Sequence, residues 1–481
     1  MSLSASLNNA LTGLGLASRR AEIISSNVAN ADTPGYARRR LATNGPVTGV
    51  SANDISVRRE VDANLQKLRR DAAADAGSAQ VAAGFHTSLD TAIGDPDQAG
   101  SLQDLLSRFD TTLTAAIADP TSNVRLAAIS NAAEGLADKL NSLGSQITRD
   151  RRAAETQIAK TVQQLNEDLA QVSDFNASIA RMEATGRDAS NLKDQRQVAV
   201  DRIAAAVPVT ELPRENGRVA LVSTGGVILL DGSPAQIEFS ERPLVEPDVE
   251  YPTGLSGLTF RGRDLGTGRD GDGLAGGSLG ALFDLRDNVA VEAMARLDTV
   301  AFELASRFQN TAVDPTLAAG QPGLFTDNGA AASATTPAGL ASRLRVNSAV
   351  GPDQPSGHWK LRDGLGATTA GPVSASSQLQ RLAGALRDSA TPARQTLTAT
   401  PTDLRGLTAS FQSAVSLDRV SSEASYERFA VERDALVDLR DGAPVDVDSE
   451  MRRLLEVEQS YAANARLVQA VSQMMDRLTE I

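Results

Sequence analysis

A helical seam opens this chain and limits what it can become. Apolar residues fall at Leu3, Leu7, Ala10, Leu14, Ala17, Ala21, Ile24 and Val28, spaced alternately four and three without a break. That spacing marks a helix packed lengthwise against another helix. Chain ends are ragged unless something ties them down, so the seam needs a partner. The far end offers one. Val447, Met451, Leu454, Tyr461, Ala465, Val468 and Met475 keep the same period, interrupted where Glu458 and Ser472 take seam positions. The pattern predicts two terminal helices that pair, with the rest of the chain between them.

The first helix stops in readable chemistry. Thr33, preceding Pro34, is pushed out of helical space. Pro34 presets φ for the second position of a β-turn, and Gly35 accepts the positive φ of a type II turn. Tyr36 follows as an anchor. The run Ser26, Asn27, Asn30, Thr33, Pro34, Gly35 and Tyr36 resembles the N-terminal signature of the bacterial flagellar axial proteins (rod, hook and hook-associated proteins). Three further stretches extend the resemblance, the first two to the hook-associated branch of that family and the third to the family's C-terminal pattern. One is Asn191-Leu192-Lys193-Asp194-Gln195-Arg196, where Lys193 and Gln197 depart from the pattern. The second is Gly277-Ser278-Leu279-Gly280-Ala281-Leu282 with Arg286-Asp287. The third is Val445, Asp448, Glu450, Met451, Gln459, Tyr461, Ala463, Asn464 and Ala465 near the far end, where Asp446 and Ser449 depart from it.

With aromatics at 3% of the 481 residues, the cores must be built from Ala, Leu, Val and Ile, a composition that favours helices. Net charge is −13, which argues against a nucleic-acid groove, since phosphate binding needs clustered cations. The first seventy residues run the other way, with ten Lys/Arg against five Asp/Glu. Lacking aromatic interleaving, these read as a solvated or inter-subunit polar face. No cysteine is present, so stability comes from packing alone. No apolar run approaches the roughly 20 residues that span a bilayer. The amphipathic start also lacks the form of a Sec-type signal peptide.

Taken in order, residues 47–61 read as extended and 64–84 as helical. From Ser101 to Ile203 the pattern is overwhelmingly helical, with Pro120 placed where a helix could start. A long helix is predicted from about Val124 to Met182, carrying Ile129, Ala133, Leu136, Leu140, Leu143 and Ile147, then Ile158, Val162, Leu165, Leu169 and Val172. Gly135 and Gly144 allow a bend in it. Strand-like runs follow at 209–212, 218–222 and 227–230, with Asn216-Gly217 as a hairpin turn, then at 237–239 and 258–260. A helix resumes through Leu297, Val300, Leu304 and Phe308. Residues 313–400, with strand signals at 344–347 and 359–361, read as a return to the β region or as a loosely structured outer lobe. The helical pattern is back from Leu404 to Leu439, and Asp446 or Asp448 can cap the last helix.

The expected fold is therefore mainly α with an inserted β-rich domain. Residues 1–36 and 446–481 form a terminal helical domain. Residues 37–207, 278–312 and 401–445 form a long-helix shaft, and 208–277 with 313–400 an outer β-rich domain.

Catalytic chemistry is not expected. His86 and His358 sit in unrelated contexts and no zinc spacing occurs. Gly266-Thr267-Gly268-Arg269-Asp270-Gly271 satisfies Gly-x-Gly-x-x-Gly but lacks the flanking strand and helix of a dinucleotide site. Asp270 to Gly273 fails the ligand positions of a calcium loop. The resemblance implies a structural, non-enzymatic adaptor at the hook–filament junction without cofactor or metal; a distal rod or hook subunit is the alternative. It implies packing with copies of itself in a ring, with hook protein and with a second junction protein. It also implies export without a cleaved signal through the flagellar type III channel, with a cytoplasmic chaperone holding the C-terminal region, and an extracellular place in the flagellum. Neither nucleic acid nor membrane insertion is implied. The residues expected to carry assembly are the N-terminal seam, the motif Asn27, Asn30, Thr33, Pro34, Gly35 and Tyr36, the C-terminal seam and chaperone contact Met451, Leu454, Tyr461, Ala465, Val468 and Met475, and the C-terminal motif Asp448, Glu450, Gln459 and Asn464.

Overall fold

The computed structural model describes residues 3–33, 35–43, 55–267, 273–335, 338–441 and 446–479. Pro34, residues 44–54, residues 268–272 within the glycine-rich motif, and Val445 lie outside the described residues.

Helix α1 (Leu3–Ala29) leads into an antiparallel ribbon of β1 (Arg39–Thr43) and β2 (Ile55–Arg59). Helices α2 (Ala63–Ile93), α3 (Leu102–Ala118), α4 (Asn123–Ala184) and α5 (Ser190–Ala206) follow. Helix α2 runs nine residues beyond the expected end at Gly84, to Ile93. Its extra turns bury Phe85, Leu89 and Ile93.

Helix α4 organises the interior. Ser122 caps it by accepting from the Arg125 backbone N–H, just after Pro120, as the sequence suggests. Its 62 residues span about 93 Å at about 1.5 Å per residue. Every member of the two heptad runs is buried. Between those runs the seam continues through charged side chains, Arg151 and Glu155. Glu155 pairs at 2.6 Å with Arg286, both fully buried, and Arg151 donates to the carbonyls of Arg286, Glu246, Pro247 and Val249. A buried charge is tolerated only when paired and hydrogen-bonded, and these side chains clamp the 241–256 loop onto the helix. The helix continues unbroken through Gly135 and Gly144, and Gly144 serves close approach. A Cβ there would stand 2.3 Å from the Ser342 hydroxyl oxygen.

Strands β3 (Val209–Pro213), β4 (Val219–Ser223), β5 (Ile228–Asp231) and β6 (Ser233–Pro234) form one antiparallel sheet. Strands β7 (Ile237–Glu238), β8 (Leu258–Phe260) and β9 (Arg263–Leu265) form another. The Asn216-Gly217 turn is present, with φ of 55° and 67°, the paired positive values of a type I′ hairpin. Side chains of α4 extend both sheets. Asn176 donates to Val219 O at 2.8 Å and accepts from its N–H at 3.1 Å. Asn166 does the same for Ile237 at 2.8 and 2.9 Å. Asn166→Ala is expected to lower global stability by about 1–3 kcal/mol, the net worth of two such bonds, read as a reduced thermal midpoint.

Helix α6 (Gly277–Asp284) passes through a π-helical turn, Leu285–Val289, into α7 (Ala290–Phe308). Residues 313–400 depart from the expected β region. They hold a two-stranded ribbon of β10 (Phe325–Asp327) and β11 (Leu344–Val346), with α8 (Leu340–Arg343), α9 (Trp359–Asp363) and α10 (Ser377–Arg387). The stretch 359–361, read as strand, is helical. Alternation over three residues cannot separate a strand from one helical turn. Leu340, Leu344, Val350, Leu361, Leu379, Leu382 and Leu386 belong to the same core as α4 and α7.

Helix α11 (Leu404–Asp441) returns antiparallel along α2, with Gln412 on Gly94 O at 3.0 Å and Glu423 on Thr87 at 2.9 Å. Helix α12 (Val447–Thr479) then lies along α1. No helix among the described residues is long and apolar enough to cross a membrane.

Candidate assembly site at the meeting of the termini

The paired ends bury few side chains completely. Ala10, Leu16, Ala17 and Ile24 of α1 are buried, whereas Leu7, Leu14, Ala21 and Val28 are half-buried; the Leu3 side chain lies outside the described residues. The N-terminal seam therefore faces the partner helix much as its spacing predicts. The C-terminal seam is offset. Glu450 and Val471 are the buried residues of α12 among those described, with Leu454, Val457, Asn464, Ala465 and Val468 half-buried. Met451, Tyr461 and Met475 are 46%, 49% and 42% exposed. The face toward α1 thus runs through 450, 454, 457, 464, 468 and 471. A four–three pattern can be drawn there through Tyr461, itself 49% exposed, without the interruptions at Glu458 and Ser472, but it begins on a glutamate, which an apolar search passes over. Asn464 of the C-terminal motif sits against Gly13, where a Cβ would come within 2.8 Å of its amide. Gln459 and Asp448 of that motif are exposed. Asp446 caps α12, accepting from the Ser449 N–H at 3.1 Å.

At the other end of the pair, three distant stretches converge on one polar junction. Asn27 is 1% exposed. Its Oδ1 accepts from the Tyr36 hydroxyl at 2.9 Å and the Arg39 N–H at 3.0 Å. Its Nδ2 donates to Arg39 O at 3.0 Å and Glu450 Oε2 at 3.2 Å. One amide thus ties the helix, the turn, the first strand and the last helix together, with every side-chain hydrogen used or facing a partner. Asn30 donates to Ser26 O at 2.8 Å and accepts from Thr33 at 3.4 Å. The Tyr36 N–H reaches Thr33 O at 3.1 Å and Gly35 has φ of 81°, the turn the sequence calls for. A Cβ on Gly35 would also strike Val198 of α5 at 2.6 Å.

Glu450, 1% exposed, receives Arg38 Nη2 at 2.6 Å and Arg453 Nη1 at 2.7 Å. Asp194 on α5, 6% exposed, receives Arg39 Nη2 at 3.0 Å, Arg59 Nη2 at 2.7 Å and the Ala37 N–H at 3.3 Å. Arg196 is also buried, bonded to Asn176 Oδ1 and Gly217 O at 2.8 and 2.7 Å. Burial pushes its guanidinium below the ordinary value, with Glu211 opposing that shift. Nearby, Arg70 pairs with Asp201 and Glu211 at 2.8 and 3.0 Å, and Arg69 with Asp201. Half of the ten Lys/Arg read from sequence as a solvated or inter-subunit face, Arg38, Arg39, Arg59, Arg69 and Arg70, are therefore internal anchors, while Arg19, Arg20, Arg40, Arg58 and Lys67 are exposed. Of the residues that do this, Asp194 and Arg196 were singled out by sequence. Arg38, Arg39 and Arg59 were not assigned partners, since their acids lie far away along the chain.

Among the described residues no group of three or more His, Asp or Glu side chains could hold a metal ion. The junction is an arrangement for holding elements together, not for chemistry on a small molecule.

Comparison with known proteins agrees with where these elements meet. Residues 7–36 match the model described as flagella basal body rod protein, and residues 442–481 the one described as flagellar basal body rod FlgEFG protein C-terminal. Paired ends of this kind define an axial protein of the bacterial flagellum. Residues 86–324, covering α3 to α7, match the flagellar hook-associated protein FlgK helical domain. Flagellar hook-associated protein 1 of Salmonella typhimurium is 25% identical over 293 residues, covering 55% of this chain and 53% of the relative. Its counterpart in Escherichia coli K12 is 24% identical over 295 residues, with the same coverage, and that of Bacillus subtilis 23% over 224 residues, 43% of each chain. These matches relate the chain to the flagellar hook-associated protein 1 family, which is structural rather than enzymatic. It spans about half the length of the curated relatives it matches. A solved structure of the flagellar hook junction protein FlgK from Burkholderia pseudomallei is 22% identical, covering 54% of this chain and 46% of that one, with a TM-score of 0.45.

Proposed function

We propose that the chain is a structural adaptor subunit at the junction of flagellar hook and filament, and that it assembles by ordering and packing its terminal helices. The supporting observation is the contrast between the two ends and the body. The long helix α4 buries 21 residues, whereas α12 buries Glu450 and Val471 among its described residues and exposes Met451, Leu455, Tyr461, Leu467, Met474 and Met475. So many exposed apolar side chains around one helix of a pair call for partners. A single helix pair is only marginally stable in water. Joining neighbours would bury these side chains at about 25 cal/mol per Å² and offset the ordering of both helices.

In this reading the terminal pair lines the inside of a tube, the α2–α5, α7 and α11 helices form its shaft, and the β3–β9 sheets lie outside. Head-to-tail stacking suits an open helical array. The partners are further copies in a ring, hook protein and a second junction protein. The chain reaches the cell exterior through the type III apparatus, and the exposed apolar side chains of α12 are what a cytoplasmic chaperone would cover. Adding the purified protein to isolated hooks, followed by flagellin, tests the assignment. Capped hooks that then support filament growth are expected. Self-polymerisation into a hook-like tube would instead favour the rod or hook subunit.

A further inference from the structure

The ribbon of β1 and β2 carries two cross-strand arginine pairs. In its register Arg39 faces Arg59, and Arg40 faces Arg58. Opposite residues share one side of a ribbon and neighbours alternate, so the two pairs point to opposite faces. Like charges placed directly opposite repel, and such a pair persists only with a counter-charge. The inner pair has one: Asp194 stands 3.0 Å from Arg39 Nη2 and 2.7 Å from Arg59 Nη2.

The outer pair repeats the arrangement, but among the described residues no acid bridges its two arginines. Glu60 gives one oxygen to Arg38 at 2.6 Å and leaves the other 3.4 Å from Arg40 Nε. The Arg40 side chain is 71% exposed. Arg58 is exposed and has no hydrogen bond or ion pair with a described residue. On this face, among the described residues, Arg38, Arg40, Arg58 and Arg453 meet Glu60 and Glu450, a surplus of two positive charges beside the terminal helices.

We propose that the Arg40–Arg58 pair is a docking site for a carboxylate on a second copy of this chain. The charge distribution selects that occupant. The first seventy residues carry ten Lys/Arg against five Asp/Glu in a chain of net charge −13. The remainder therefore holds the whole acidic excess, −18, and a neighbouring copy presents it. The internal Asp194 clamp shows the geometry the pair adopts around a carboxylate: two guanidinium groups on adjacent strands, one acid between them. Such a contact adds register and salt-dependent attraction to the apolar packing of the helices. This inference rests on the assembly reading above.

The test uses the full chain, as wild type, as Arg40→Glu/Arg58→Glu, as the milder Arg58→Gln, and as a charge-matched control, Arg152→Glu/Arg187→Glu, on exposed helix and loop positions of the body. Self-association is followed by sedimentation over a range of salt, addition to isolated hooks is measured in parallel, and thermal midpoints report folding. The expected result is an unchanged midpoint, with association of the double variant weakened at least tenfold and its salt dependence flattened. Arg58→Gln should weaken association about threefold, and the control should match wild type. Association of both Arg58 variants at wild-type strength would overturn the inference while leaving the assembly reading intact. A loss confined to hook attachment would overturn the choice of occupant. Failure of the wild type to associate with itself and with hooks would refute the assembly reading itself.

Discussion

Val471→Asp is expected to abolish incorporation into the flagellum while leaving the body of the protein folded. Val471 is 3% exposed and is the apolar side chain of α12 most completely covered by α1 among the described residues. A carboxylate there must either stay charged in an apolar seam or drive the helices apart, and an unpaired buried charge costs several kcal/mol. A helix pair with so few buried contacts does not have that stability to lose. Separation of the pair is therefore the expected response. The α2–α11 core shares no buried seam with Val471, so the main thermal transition should stay within about 2 °C, the effect of a small perturbation on a protein this large. Leu14→Asp and Val468→Asp should act in the same direction. Motility assays with complementation, alongside calorimetry of the purified variants, separate the two effects.

The second large effect is expected at Asp194. Asp194→Ala should release the β1–β2 ribbon from α5 and cost about 3–5 kcal/mol of local stability, the usual result of removing one partner of a buried pair. Two guanidinium groups, Arg39 and Arg59, would face one another with their shared acid gone. Asp194→Asn should be milder, since the amide still accepts from the Ala37 N–H. Limited proteolysis should cut the Asp194→Ala ribbon at arginines protected in wild type. A double-mutant cycle between Asp194→Asn and Arg59→Gln should show a coupling of about 0.5–3 kcal/mol. No coupling would mean that the ribbon is held by other contacts. Because Asn27 and Glu450 meet the same ribbon, the ordering of α1 and α12 should fall with it.

Local patterns were legible wherever the relevant signal repeats along the chain. The α4 heptads, the Asn216-Gly217 hairpin, the Gly35 turn and the N-terminal seam all follow from short-range spacing, and the structure places them as that spacing demands. Periodicity misled where charged residues enter a seam. Glu450 occupies a core-facing position on α12, so an apolar search slid to Met451, which is exposed. Its partners Asn27 and Arg38 are 423 and 412 positions away, and nothing local in the sequence links such distant groups. The same holds for Arg286 with Glu155, 131 positions apart. Residues 313–400 were misread for another reason. Their elements are too short for period to distinguish helix from strand, and they are held by burial against α4 and α7 rather than by their own pattern.

The motifs nonetheless converge. Residues that carry the axial-protein resemblance at the N-terminus, in the 191–196 run and at the C-terminus meet within one hydrogen-bonded junction. Motif residues distant in sequence are used here to hold helix ends, not to perform chemistry. The polar junction fixes the root of the terminal pair, and the pair's tips, the start of α1 and the end of α12, lie beyond it.

Everything in this account turns on how firmly those tips are held before a neighbour arrives. Hydrogen exchange of backbone amides, read at Ala10 and Ala465 in dilute monomer and again in the assembled state, tests this directly. Exchange close to the unfolded rate in the monomer, with strong protection after assembly, is the predicted outcome. Full protection at both sites in the isolated chain would contradict it.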